Sequence, residues 1–464
     1  MQAKLIIGKC CLAVFSVATM LACGESTSAP RSVIWIEVDT LRADALGCYG
    51  STARGEGGTL PSPSIDGLAS SGVLFERAYS SAPWTVPSFM TQLSGKWPFD
   101  HGALRLLAPV EFESPNLAER FQNAGWRTAC VMTNFVVQQQ LGFDRGFEVW
   151  DESLAEGHQG ATGPEAAELM LSITDEFLKR PGEGLFLLLF LFEPHNRYEA
   201  HPGMRFGPGY SDDAPYQGKL TGMEPISNLR SRRESFTEAD IEFLRGRYQS
   251  EVAHVDGAIG KLLVGMRERE LLDEALVVFT ADHGEELMER GWLGHTRTLY
   301  DELVRVPLVI QLPSSIRAGH EGVRLDAAVS QIDLGSTVLD LMGVEGSLGD
   351  GVSFASTILE RAPSPRRYLY LHSDFDPPLQ SASSLKKRAL LWGVVDAQEE
   401  DKWIIDRHPD HRVKGRPATQ WFDLNADPGE ERDLTDSSSV PKRFFSMPAL
   451  DPDVPTGELK GLKR

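Results

Sequence analysis

The sequence predicts an α/β fold: a mostly parallel central sheet with helices on both faces, followed by a small C-terminal antiparallel subdomain. Three observations predict it. Short apolar, β-branched runs alternate with helical patterns as far as residue 365; two of those runs end in an aspartate; beyond residue 365 the chain breaks into short strand-like pieces split by turns.

The N-terminus differs in kind from the body. Lys4 and Lys9 stand beside the apolar run "CCLAVFSVATMLA", which is too short to span a bilayer and has the layout of a signal peptide over residues 1–23. Small Ala22 precedes Cys23, so the segment reads either as a lipoprotein signal lipidated at Cys23 or as an ordinary cleaved signal. Both readings export the chain, to the periplasm or to a lipid-anchored position in the cell envelope. A linker over 24–31 follows.

"SVIWIEVD" (Ser32–Asp39) then reads as a buried strand closed by an acid. "SAPWTVPSFM" raises a helix start near Thr85, with Pro87 in the first turn and Gly95 as the stop. "RTACVMT", "GLFLLLFLF", "ALVVFTAD" (Ala275–Asp282) and "VPLVIQL" (Val306–Leu312) supply four more strands. From about Thr237 to Glu270, Leu244, Tyr248, Val252, Val255, Ile259, Leu262 and Met266 step by three or four, which is one helix face. "IDLGSTVLDLMG" is another helix, stopped by Gly343. Residues 201–225 are long and rich in Gly and Pro, as binding loops often are. The boundaries that result are 32–364 for the main domain, 365–435 for the antiparallel subdomain and 436–464 for a tail.

Charge narrows the partners. Against 46 Lys and Arg stand 66 Asp and Glu, a net −20, which disfavours nucleic acid and anionic membrane surfaces; membrane contact is expected only through a lipid at Cys23. Cysteines are few: Cys48 and Cys130 are the two in the body, and a disulfide between them is compatible with export.

In open α/β sheets ligands lie at the carboxyl ends of strands. Asp39 closes the first strand and Asp282 the fourth, with His283 beside it, and two carboxylates with an imidazole suit a divalent cation. A hydroxyl at Thr85, on a helix N-terminus that attracts anions, becomes a better nucleophile beside such a cation. Taken alone, Thr85 reads as a simple helix cap. His195 and His295 follow strands or adjoin them, placed to donate to a bound anion or to protonate a leaving group.

The order "VDTLRADALGCYG", "SAPWTVPS", "FEPHNRY", "VVFTADHGEEL", "GHTRTLYDELVRVPLVI", "WFDLNADPGEERDL" resembles the sulfatase family of the alkaline-phosphatase-like superfamily, from about Ser32 to Leu434. The resemblance implies the alkaline-phosphatase-like/sulfatase fold and a hydrolase acting on the sulfate or phosphate ester of a small molecule or glycan. It also implies one divalent metal ion, calcium in most relatives, with Mn2+ or Zn2+ as options. It puts metal ligands on Asp39, Asp282 and His283, with Thr85 close by, the nucleophile on Thr85, substrate-facing histidines on His195 and His295, and the substrate-binding lysine loop on Thr133 and Asn134. The chain departs from the family at several of these positions. Thr40 stands where a second acidic ligand is usual, Thr85 where a residue is converted to formylglycine, and Phe89 where an arginine holds that group. A threonine forms a covalent ester that water or another acceptor must resolve. This leaves phosphodiester cleavage or phospho-group transfer as the alternative chemistry, and an inactive glycan-binding relative as the non-enzymatic one. With Arg and Lys missing around Thr85, singly charged esters are expected to be preferred over phosphate monoesters.

Overall fold

The computed structural model describes residues 31–111, 114–155, 162–180, 184–207, 216–375, 389–406 and 417–435. The signal segment with Cys23, most of the linker and the tail lie outside them.

Eight strands form the central sheet: β1 (Ser32–Val38), β2 (Val73–Phe75), β3 (Arg127–Met132), β4 (Val149–Asp151), β5 (Leu185–Leu191), β6 (Ala275–Ala281), β7 (Leu308–Gln311) and β8 (Val323–Leu325). Their spatial order is β8-β2-β7-β6-β1-β5-β3-β4. β6, β1, β5, β3 and β4 run parallel, whereas β7 is antiparallel to both β6 and β2. The central strands are buried along their whole length, which is why they read as continuous apolar runs rather than alternating ones.

Helices cover both faces. The principal ones are α1 (Pro63–Ser71), α2 (Thr85–Ser94), α3 (Leu117–Asn123), α4 (Gly163–Leu178), α5 (Ile226–Arg232), α6 (Glu238–Glu268) and α7 (Leu334–Leu341). Side chains alternate along β5. Phe190 meets Phe89 of α2 and Phe186 meets Phe121 of α3, while Leu191 lies on the other face near the start of α4 and Ala258 of α6. The α6 helix begins at the N-cap Thr237, whose hydroxyl accepts from Asp240 N while the Asp240 carboxylate accepts from Thr237 N, a complete capping box. Its predicted stripe from Leu244 to Met266 is buried throughout.

The C-terminal subdomain is a four-stranded antiparallel sheet of β9 (Tyr368–Phe375), β10 (Ala389–Asp396), β11 (Asp401–Asp406) and β12 (Thr419–Asp423). It docks through buried Lys402, whose Nζ lies 2.7 Å from Asp301 and 2.8 Å from Glu430. Removing one partner of such a set would leave an uncompensated buried charge.

The disulfide that export would permit is not formed. Cys48 and Cys130 are both free thiols, and Cys130 is buried within β3.

Candidate active site

Topology explains why distant acids meet. β1 and β6 are neighbours in parallel register, with Val38 opposite Ala281, so Asp39 and Asp282 leave the sheet side by side at its carboxyl edge. On the other flank of β1, β5 ends opposite at Leu191 and delivers His195 four residues later; next to it β3 delivers Thr133 and Asn134. Four adjacent strands thus each feed one corner. Gly284 lets the turn after His283 pass close to the chain: a Cβ there would lie 2.0 Å from Glu302 O.

Asp39, Asp282 and His283 are fully buried, and each offers a ligand atom within 4.8 Å of the others. His283 Nε2 is 3.5 Å from Asp39 Oδ1 and 3.3 Å from Asp282 Oδ2. Those two carboxylate oxygens have no hydrogen-bond donor among the described residues. The His283 ring donates its Nδ1–H to Gly284 O at 2.8 Å, which leaves the Nε2 lone pair toward the carboxylates. Two acids side by side out of water disfavour each other's ionised form. Burial and then Asp282 push Asp39 well above the carboxylate range, and burial pushes Asp282 up to about 8. The set fits a divalent cation on three counts: it is oxygen- and imidazole-rich, its acceptors are orphaned, and it lacks positive charge.

Thr85 is the first residue of α2 and makes no capping bond, so the plain cap reading does not describe it. Its hydroxyl lies 3.4 Å from His283 Nε2. Thr40 adopts a left-handed backbone (φ 53), unusual for a β-branched residue. That turn aims Thr40 N at Asp282 Oδ1 (3.2 Å), and its buried hydroxyl has no partner among the described residues.

The other two histidines stand together on the outer side. The His283 and His295 ring centres are 4.6 Å apart, and those of His295 and His195 are 5.1 Å apart. His195 donates Nδ1–H to Asn196 O (2.8 Å), and His295 Nδ1 faces Glu285 Oε1 (3.0 Å). Burial pushes His195 down to about 3 and His295 well below its usual value, so both rings are neutral. Glu285 was missed in the sequence, although it stands within "DHGEE". It is fully buried and also accepts from Tyr198 OH at 3.3 Å.

Thr133 and Asn134 lie at the site, but their polar atoms are engaged by protein. Thr133 Oγ1 bonds Phe190 O and Phe192 N; Asn134 Nδ2 donates to Asp39 Oδ2 at 2.5 Å, and its Oδ1 accepts from Val136 N. Thr133 thus braces β5, and Asn134 orients a carboxylate.

Phe89, which replaces the arginine that the resemblance implies, packs into the core. One helical turn beyond Thr85, it is fully buried, edge-on to Phe190 at 5.3 Å and beside Phe143 at 6.2 Å. Arginine at this position would have to leave a guanidinium among aromatic rings. Phe89→Arg is expected to lower stability by at least about 3 kcal/mol, from the lost packing and the unpaired charge. Thermal unfolding checks this, and an unchanged midpoint would show that the arginine can swing into the site.

The Sulfatase family profile matches residues 31–344. The chain belongs to the sulfatase family. It is 23% identical to an arylsulfatase of Clostridium perfringens, over 89% of this chain and 92% of that one. It is 22% identical to an N-acetylglucosamine-6-O-sulfatase of Bacteroides thetaiotaomicron, over 90% and 85%. Two solved structures share the alkaline-phosphatase-like fold at 18% identity. One, bound to its substrate D-glucosamine-2-N,6-O-disulfate, aligns with TM-score 0.70 over 94% of this chain and 98% of that one. The other, a phosphonate monoester hydrolase of Agrobacterium radiobacter, aligns with TM-score 0.68 over 94% and 96%. This sulfatase-family chain keeps the fold and an acidic, histidine-rich carboxyl edge.

Proposed function

We propose that this sulfatase-family hydrolase is exported and cleaves a sulfate or phosphate ester of a small molecule or glycan, with Thr85 as nucleophile and a divalent cation, calcium first among the options, as cofactor. The observation that carries the reading is the convergence of two orphaned carboxylate oxygens, one imidazole lone pair and one hydroxyl on the same point. Asp39, Asp282 and His283 would hold the cation beside Thr85. The bound cation would supply charge balance and Lewis acidity, easing loss of the hydroxyl proton.

The chain's own groups then have distinct tasks. Thr85 Oγ attacks sulfur or phosphorus, the ester bond to the leaving oxygen breaks, and the group passes to the threonine before water releases it. A neutral imidazole with a free Nε2 can take the proton lost by Thr85 and return it to the leaving alkoxide. His295 suits that task because Glu285, behind its Nδ1, stabilises the transient imidazolium, as a buried carboxylate does in hydrolytic triads. His195, anchored to a carbonyl, is assigned to binding the ester oxygens. Asn134 fixes Asp39. Export rests on the N-terminal signal, and no helix among the described residues is long and apolar enough to cross a membrane.

The test is a panel of aryl sulfate, phosphate monoester, phosphodiester and phosphonate monoester, each assayed with calcium, manganese, zinc and chelator. Turnover of singly charged esters that stops with chelator is expected. No turnover of any ester with any ion would favour a binding protein. Turnover confined to the phosphodiester, with zinc required, would favour the transferase-type chemistry.

A further inference from the structure

β5 delivers more than His195 to the carboxyl edge. Two residues past its end stands Glu193. Both side chains line one cavity of about 210 Å3, with Glu199, with Glu251 of α6 and with Met223 and Pro225 from the end of the Gly/Pro-rich stretch 201–225. The rings of His283, His295 and His195 step away from the carboxylate cluster at 4.6 and then 5.1 Å, so the cavity begins at the outer end of that row.

The charged lining is mostly acidic. Glu193 is 5% exposed and Glu251 1% exposed, and Glu199 is half-buried. Glu193 Oε1 accepts from Thr162 N and from Gly163 N (3.1 Å) at the start of α4, but its buried Oε2 has no donor among the described residues. Glu251 accepts from Glu199 N, and its Oε2 lies 2.9 Å from His201 Nε2. These donors bring no charge, since burial holds His201 below its usual value. Burial, with Glu251 nearby, pushes Glu193 up to about 7; burial, with Glu199 nearby, pushes Glu251 up to about 8. Among the described residues the nearby cations are Arg197, which lines the cavity but is exposed, and Arg247, which offsets Glu251 in part. A buried carboxylate oxygen left without a donor is costly. A protonated primary amine supplies both charge and N–H, whereas a quaternary ammonium supplies charge alone. The volume suits a small head group, since pockets for whole drug-sized ligands start near about 300 Å3.

We propose that the cavity lined by Glu193, Glu251 and His195 binds a protonated primary amine on the alcohol part of the substrate. The substrate is then zwitterionic, with its anionic ester beside Thr85 and its ammonium beyond His195. The proposal rests on the ester-hydrolase reading for the place of the anion. Glu193 Oε2 accepts from the ammonium, and Glu251 adds charge from behind.

Calorimetric titration with calcium present tests it, using ω-aminoalkyl sulfates of increasing chain length, each against the alkyl sulfate of the same length. At the chain length that reaches past His195, wild-type protein is expected to bind the amine at least about tenfold tighter than its alkyl partner. Glu193→Gln keeps an acceptor for Thr162 N and Gly163 N, so α4 should still start normally. It should cut the ratio below about threefold while alkyl sulfates stay within about twofold of wild type. Arg197→Gln, at an exposed position, leaves folding alone and should raise the ratio by about twofold, because a cation facing the ammonium is gone. Equal affinities at every length in wild type, equal losses for both series in Glu193→Gln, or a fall in the ratio with Arg197→Gln would overturn the amine site. Because the titration reads binding, it separates the two ideas. Amine preference without hydrolysis of any ester removes the hydrolase reading alone, and hydrolysis with no amine preference at any length removes the amine site alone.

Discussion

Thr85→Ala is expected to lower kcat/KM by at least about a thousandfold, or ~4 kcal/mol of transition-state stabilisation. The hydroxyl lies 3.4 Å from His283 Nε2, so its loss removes the attacking atom without removing any of Asp39, Asp282 and His283. Folding should be nearly indifferent. Thr85 contributes no capping bond to α2, and alanine is a better helix former than threonine. Thr85→Ser keeps the oxygen and should retain activity to within about tenfold. Steady-state kinetics on the best ester from the panel reads the loss. Mass spectrometry of acid-quenched wild-type enzyme should find the transferred group on the peptide containing Thr85. Undiminished turnover in the alanine variant would mean that water attacks the ester directly.

The second large effect reverses sign with the cation. Asp282→Asn should abolish calcium-dependent stabilisation, because it removes one of the two carboxylates that converge on His283. Without a cation the same change should raise the unfolding midpoint, because two buried acids no longer oppose each other. The pH dependence follows from the raised carboxyls. With Asp282 at about 8 in the folded chain against an ordinary 3.8, the native state holds a proton that the unfolded state releases between those values. Cation-free wild type should therefore lose stability as pH rises from about 4 to 8, and Asp282→Asn should lose less over that range. Calcium should restore most to wild type at the alkaline end. Thermal unfolding at pH 5 and pH 8, with calcium or chelator, distinguishes these outcomes. A variant that still gains stability from calcium would move the cation elsewhere.

Much of the frame is local and was therefore legible. The runs at Ser32–Val38, Leu185–Leu191 and Ala275–Ala281 are buried on both faces, so continuous hydrophobicity marks them as strands. The periodicity of α6 and its N-cap at Thr237 are likewise properties of the segment itself. Asp39 and Asp282 stood out because each directly follows such a strand, and His283 because it adjoins Asp282.

Tertiary structure decided what depends on partners far away in the chain. β7 reads identically in either direction, and only its pairing with β6 and β2 makes it antiparallel. β2, β4 and β8 have three residues each, too few to show a period. Phe89 stands where the family resemblance places an arginine, yet the rings of Phe143 and Phe190 bury it, since aromatic surface gains more there than at a wet site. Asn134 is consumed by Asp39, and Glu285 by His295, through hydrogen bonds across 95 and 10 residues. Glu193 and Glu251 meet across the span from the end of β5 to α6, and no local pattern announces where charge separated in sequence will gather. The sequence alone determined the five longer strands, the main helix and the acids at the sheet's edge; packing decided which polar groups are already engaged and which remain open to a ligand, because a buried donor or acceptor is satisfied by whatever the fold brings next to it.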